Sequence, residues 1–144
     1  MRTKTIVTEL DHSDLVELFS TAFYNSRIFG GNYNNEDLRI KDENDCFEDN
    51  LAYVLLDGKS IQVRDFYAEE ESDYYGDLPH EWDDDDEFMS YTVNIKDIEN
   101  GIAKALDEQK NFAWNFVKYD YGNFDAEDAE NLMQYILFGE LIYG

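Results

Sequence analysis

Between Asp65 and Glu87 the chain carries twelve carboxylates and no lysine or arginine. Such a stretch has no place in a core, because a buried carboxylate without a cation or hydrogen-bond donors is expensive. It must run over the surface, and something must hold it there. Alternating segments flank it. In Lys59–Tyr67, Ile61, Val63 and Asp65 fall on one side and Gln62, Arg64 and Phe66 on the other; in Phe88–Ile95, Tyr91, Val93 and Ile95 share a side. The period of two predicts a strand at each end. The two strands are expected to pair antiparallel, with the acid-rich segment at about 65–87 as their connection. A connection of about 20 residues is unusual inside a domain unless it is functional or has structure of its own. Tyr67, Tyr74, Tyr75, Trp82 and Phe88 are spaced along it as points that can pin it to a core.

The rest of the chain supplies that core. Its 144 residues suit one domain, 1–144, and 43% of them are hydrophobic, too many for a disordered acidic tail. Asp11 is placed to cap a helix reaching about Asn25, with Leu15, Leu18, Phe19, Ala22 and Phe23 on its apolar face. Residues 25–44 read as a loop with a short helical turn near Asn35–Ile40. Asp45 is expected to cap a helix over Cys46–Leu56 that buries Phe47, Leu51, Val54 and Leu55. Helical spacing recurs over about Lys96–Gln109, over Asn111–Tyr119, and after Asp125, where Leu132, Met133, Ile136, Leu137 and Ile142 form an apolar face. Gly101 is expected to weaken its helix by up to about 1 kcal/mol relative to alanine. The fold class is α+β: a small antiparallel sheet of two to four strands packed by about four helices. Phe19, Phe23, Phe47, Phe112, Trp114, Phe116 and Phe138 are the expected core rings, with Tyr24, Tyr33, Tyr74, Tyr75 and Trp82 in polar contexts.

The formal charge of -23 limits the partners. A phosphate backbone repels this chain, and the eleven bases are scattered singly from Arg2 to Lys118, so direct nucleic-acid binding is not expected. Anionic membrane surfaces are disfavoured for the same reason. No run of apolar residues is long enough to span a bilayer, and the first residues lack the pattern of a signal peptide, so a cytoplasmic location is expected. A lone cysteine, Cys46, allows no internal disulfide.

No nucleophile elbow, phosphate-binding glycine loop or dinucleotide fingerprint occurs, and an enzyme is not expected. Asp42-Glu43-Asn44-Asp45 lacks the glycine and spacing of a calcium loop. His12, His80 and Cys46 have no zinc-ligand spacing. Neither a metal nor another cofactor is expected. Cys46 begins a helix, but its acidic neighbours oppose thiolate formation, so an inert, partly buried thiol is expected.

Asp45-Cys46-Phe47-Glu48-Asp49, Tyr75-Gly76-Asp77-Leu78-Pro79-His80, Tyr91-Thr92-Val93 and Phe138-Gly139-Glu140-Leu141-Ile142-Tyr143-Gly144 resemble a group of small acidic proteins carried by bacterial mobile elements and phages. The resemblance spans most of the chain. It implies a bacterial or phage context and, because no activity is assigned to the group, no residue roles.

The expected function is binding: a phosphate-mimicking acidic surface offered to a basic nucleic-acid-binding protein, in the manner of an anti-restriction or anti-CRISPR antagonist. The expected partner-binding residues are Glu69, Glu70, Glu71, Asp73, Asp77, Asp83, Asp84, Asp85, Asp86 and Glu87, with Tyr74, Tyr75 and Trp82 as anchors. Acidic clusters at Glu36–Asp49 and Asp120–Glu130 lend this surface modest support, the second reading first as favourable charge at a helix N-terminus. The competing expectation is an assembly protein of a mobile element, oligomerising through Leu132–Tyr143.

Overall fold

Asp11 begins the first helix as its side chain predicts, its Oδ1 accepting from the Asp14 backbone N–H at 2.9 Å while Asp14 Oδ2 accepts from the Asp11 N–H at 3.1 Å. In the computed structural model, which describes residues 9–24, 26–38, 45–70, 76–117 and 124–143, the elements follow in this order. Helix α1 is His12–Tyr24, β1 Phe29–Asn32, a 3-10 turn Asn35–Asp37, α2 Phe47–Leu56, β2 Ile61–Asp65 and β3 His80–Asp83. Strand β4 is Phe88–Val93, and helices α3 (Ile95–Asp107), α4 (Asn111–Val117) and α5 (Ala126–Phe138) follow it. The class is α+β, with five α-helices and four strands among the described residues. The extended segment expected from Thr3 falls almost wholly outside the described residues, as do positions 39–44 and 118–123.

The sheet is antiparallel throughout, in the order β1-β2-β4-β3. Strands β2 and β4 pair as expected, with Ile61 opposite Val93, Val63 opposite Tyr91 and Asp65 opposite Met89. These six residues are buried on one face, where the helices pack. The other face carries Gln62, Arg64, Ser90 and Thr92, and Gln62 Oε1 accepts from the Ser90 hydroxyl at 3.1 Å. Two strands were not expected. Strand β1, with the sequence Phe-Gly-Gly-Asn, lies in the stretch read as a loop because glycine weakens strand propensity. Strand β3 lies inside the acid-rich segment.

Helix α5 is the centre of the helical layer and packs against α1, α3 and α4. Leu132, Met133, Ile136, Leu137 and Phe138 are all buried in the chain's own core. The helix therefore does not offer the apolar face that the assembly expectation required of Leu132–Tyr143. Other corrections are local. Helix α2 starts one residue later than expected, with Cys46 at its N-cap; Phe47 is 39% exposed against Tyr33, and Asn50 takes an inward position, its amide donating to the Tyr33 hydroxyl at 3.0 Å. Trp114 is 37% exposed, while Phe112 and Phe116 on the same short helix are buried.

Gly101 is the position where helix α3 touches α5. A Cβ there would lie 2.4 Å from the Ile136 Cα, a backbone atom that cannot swing away. Close approach thus overrides helix propensity. Gly101→Ala, which propensity alone would make stabilising by about 1 kcal/mol, is expected instead to destabilise by about 1–3 kcal/mol through overpacking. Urea denaturation of the two proteins decides the sign.

Candidate acidic binding surface

The acid segment begins with a carboxylate that is not on the surface. Asp65 is 0% exposed. Its Oδ1 accepts from the backbone N–H of Tyr67 at 2.9 Å and of Ala68 at 3.2 Å, which turns the chain out of β2. Its Oδ2 accepts from the Tyr143 hydroxyl at 2.5 Å. Burial raises the Asp65 pKa above its ordinary 3.8, and the three hydrogen bonds act against that rise. Burial and the same carboxylate push the Tyr143 hydroxyl far up. Ala68 is buried, and Glu69 and Glu70 follow it into solvent.

At Gly76, a φ of 74° and the approach to the Leu137 carbonyl (2.6 Å from an added Cβ) leave room for no side chain. Pro79 O accepts from the Thr92 N–H at 2.8 Å, which fixes β3 against β4. The aspartate run is the hairpin turn. Asp83 Oδ1 accepts from the backbone N–H of Asp85 at 3.0 Å and of Asp86 at 2.9 Å, and Asp83 O accepts from the Glu87 N–H at 2.9 Å. Glu87 closes the turn with a φ of 56°. Phe88 then returns to the protein, its ring edge-on to Phe66 at 5.7 Å with the Arg64 guanidinium 5.1 Å above it. The described parts of the long connection are therefore a turn, a strand and a tight hairpin, held by Asp65, Ala68, Trp82 and Phe88.

This arrangement sorts the expected site residues. Glu69, Glu70, Trp82, Asp84 and Glu87 line one open cleft of about 420 Å³. Asp85 and Asp86 are exposed beside it at the turn. Asp83 spends its carboxylate on the turn and lines the open sheet face with Glu81, Gln62 and Arg64. Asp77 lies apart, in a cleft with Asp97, Asn100 and Lys104 beside α3. Glu71, Asp73, Tyr74 and Tyr75 lie outside the described residues. Trp82, expected as an anchor for a partner, is half-buried and packs on the chain's own core. The exposed rings next to the surface are Phe66 and Tyr67, at 45% and 52%. The sequence signalled Tyr67 only as a pin.

The described acids of the secondary clusters work largely within the fold, and those at the start of α5 stand in its first turn as the helix-terminal reading expects. Glu48 accepts from the Tyr24 hydroxyl, Asp49 bonds the His12 ring at 2.7 Å, Asp125 caps α5, Asp128 accepts from Asn115 and Glu130 from Ser26. Asp37 faces Lys59 at 3.8 Å. Hydrogen bonding to His12 lowers the Asp49 pKa, against an opposing push from burial. Cys46 is exposed, not partly buried, and the charge of Glu48 raises its thiol pKa. Among the described residues, no group of three His, Cys, Asp or Glu side chains is arranged to hold a metal ion, and no helix is long and apolar enough to cross a membrane. Comparisons with protein-family models, curated proteins and solved structures give no match.

The two shifted aspartates have opposite consequences for stability. Asp65, raised, favours the fold below its unfolded pKa, and that contribution is lost as pH rises through its folded value. Asp49, lowered, contributes above its unfolded pKa and loses the contribution as pH falls through its folded value. Between the ordinary carboxylate value and the raised value of Asp65, this group makes the melting temperature rise as pH falls. In Asp65→Asn, which keeps an oxygen for the Tyr67 and Ala68 N–H groups, that rise is expected to be smaller. Thermal melts of both proteins across this range measure the difference.

Proposed function

We propose that this protein is a binding module whose acidic edge occupies the cationic groove of a nucleic-acid-binding protein and competes with nucleic acid for it. One observation carries the reading: Glu69, Glu70, Asp84 and Glu87 converge on one cleft although 13 residues separate Glu70 from Asp84. The ordered turn at Asp65 and the hairpin at Asp83–Glu87 set their spacing before any partner arrives. Preorganised carboxylates keep more of the Coulomb attraction than mobile ones, because less ordering entropy is lost on binding. Their field steers a cationic surface and displaces its counterions, so both rate and affinity fall as salt rises. The mechanism is occupancy, and no bond is made or broken. The resemblance to small acidic proteins of mobile elements points first to a host defence enzyme, of restriction or CRISPR type, as the partner. The assembly reading is weaker, because helix α5 spends its apolar residues inside the chain.

A pull-down from bacterial lysate at low and high salt tests the proposal. Nucleic-acid-binding proteins are expected to bind at low salt, elute at high salt and be displaced by added duplex DNA. The combined Glu69→Gln, Glu70→Gln, Asp84→Asn, Glu87→Gln variant is expected to bind at least about tenfold more weakly, a loss of roughly 1.4 kcal/mol. An equal change of charge elsewhere, Glu9→Gln, Glu36→Gln, Glu99→Gln and Glu140→Gln, is expected to have a much smaller effect. A partner that holds duplex DNA and this protein at once contradicts competition. Asp83 is left unchanged in both variants because its carboxylate builds the turn.

A further inference from the structure

A second cleft opens where the C-terminal strap crosses α5. After Phe138 the chain folds back, and Gln134 Oε1 accepts from the backbone N–H groups of Ile142 at 2.9 Å and Tyr143 at 2.8 Å. Tyr143 is thereby set edge-on to Tyr67, with ring centroids 5.6 Å apart. These two rings, with Gln134, Glu127, Glu130 and Arg27, line a space of about 460 Å³.

The chemistry of the lining is specific. Gln134 is 1% exposed, yet it lines the cleft. Two N–H donors identify which end of its amide is oxygen, so the end left for the cleft is the nitrogen. That nitrogen makes no hydrogen bond among the described residues and calls for a carbonyl oxygen. Tyr67 and Tyr143 supply aromatic surface that attracts a cation. Glu127 is exposed, and Glu130, which accepts from Ser26 through one oxygen, has a second available to a donor. Arg27 is the chain's own cation at this cleft, and it is exposed, with no carboxylate within ion-pair distance among the described residues. A ligand with a cation at one end and an amide carbonyl near it satisfies the amide nitrogen, the two rings and the two carboxylates, with Arg27 as the opposing charge. A basic residue within a peptide chain has that form. Tyr67 is also joined through buried Ala68 to Glu69 and Glu70, so the cleft adjoins the acidic edge along the chain.

We infer that this cleft takes one basic side chain from a partner segment, arginine in preference to lysine. Its guanidinium stacks on the tyrosine rings between Glu127 and Glu130, and its peptide carbonyl accepts from the Gln134 amide. The preference follows from the planar, weakly hydrated guanidinium, which stacks on rings better than an ammonium. The inference rests on the proposal that the acidic edge binds a basic protein, and it adds an anchor that charge alone does not supply.

The test uses the full chain and acetyl-hexa-arginine amide, with calorimetry for affinity and NMR for location. Binding is expected to shift the Gln134 side-chain amide signals together with the backbone amides of Glu69, Asp84 and Glu87. Tyr67→Leu, which changes no charge at a half-exposed position, is expected to weaken binding about fivefold, within the range of cation–π contacts. Phe66→Leu, on the open sheet face, is expected to leave it unchanged. Arg27→Ala is expected to tighten binding by removing the competing cation. Wild-type affinity in Tyr67→Leu, with shifts at Glu69, Asp84 and Glu87 but none at the Gln134 side chain, overturns the cleft and leaves the acidic edge standing. Failure of the wild-type protein to bind the peptide at low salt overturns both.

Discussion

A carboxyl group with no exposed surface closes strand β2, bonded to two backbone N–H groups and to the hydroxyl of Tyr143. The acidic surface depends on this interaction. It ends the strand, sends Ala68 into the core and Glu69 and Glu70 out of it, and ties the C-terminal strap to the root of the acid segment. Burying a carboxylate disfavours its charged form, and the three donors offset part of that cost. The arrangement is tolerable because apolar burial around it is extensive. Tyr91, Val63, Ile61 and Val93 on the same face are essentially inaccessible, and each fully buried side chain of this size contributes about 1.5–3 kcal/mol.

Repulsion within the acid segment is handled by geometry more than by ion pairing. The turn at Asp83 uses one carboxylate to hold the backbone N–H groups of Asp85 and Asp86, and the Glu87 backbone adopts a left-handed conformation to finish it. Acids elsewhere cap helices or accept from hydroxyls and amides, so much of the charge serves the fold locally. The carboxylates that converge outward belong mainly to the edge formed by β3 and its flanking turns. The rings next to that edge divide the work: Trp82 holds it to the core, Phe88 holds it to Phe66 and Arg64 on the open sheet face, and Tyr67 faces solvent at the second cleft.

Much of the fold was legible in the sequence, because periodicity is strong where burial is one-sided. Ile61, Val63 and Asp65 announced β2; Tyr91 and Val93 announced β4; Ile98, Ile102, Ala105 and Leu106 announced α3. Strand β1 was hidden by its two glycines, which pack through their backbone. Strand β3 was hidden because it lies at the sheet edge with exposed His80 and Glu81 at its start, so no alternation marks it. The site was legible as a segment and not as a surface. Sequence placed Asp83 with the binding acids, though its carboxylate serves the turn, and offered Trp82 both as a pin and as a partner contact, of which its packing on the core matches the pin. Asp65 looked like one acid among twelve, because burial at the end of an alternating strand depends on the Tyr143 hydroxyl, 78 residues away.

The account requires the acid segment to be ordered before it meets a partner. Backbone amide hydrogen exchange of the free protein tests this most directly. In the register that places Pro79 opposite Thr92, the N–H groups of Glu81 and Asp83 point into the sheet toward β4. The account predicts that these two amides exchange slowly, within reach of the protection at Val63 and Tyr91 in the sheet centre. Exchange at Glu81 and Asp83 at the rate of an unfolded chain, with Val63 and Tyr91 protected, would contradict it.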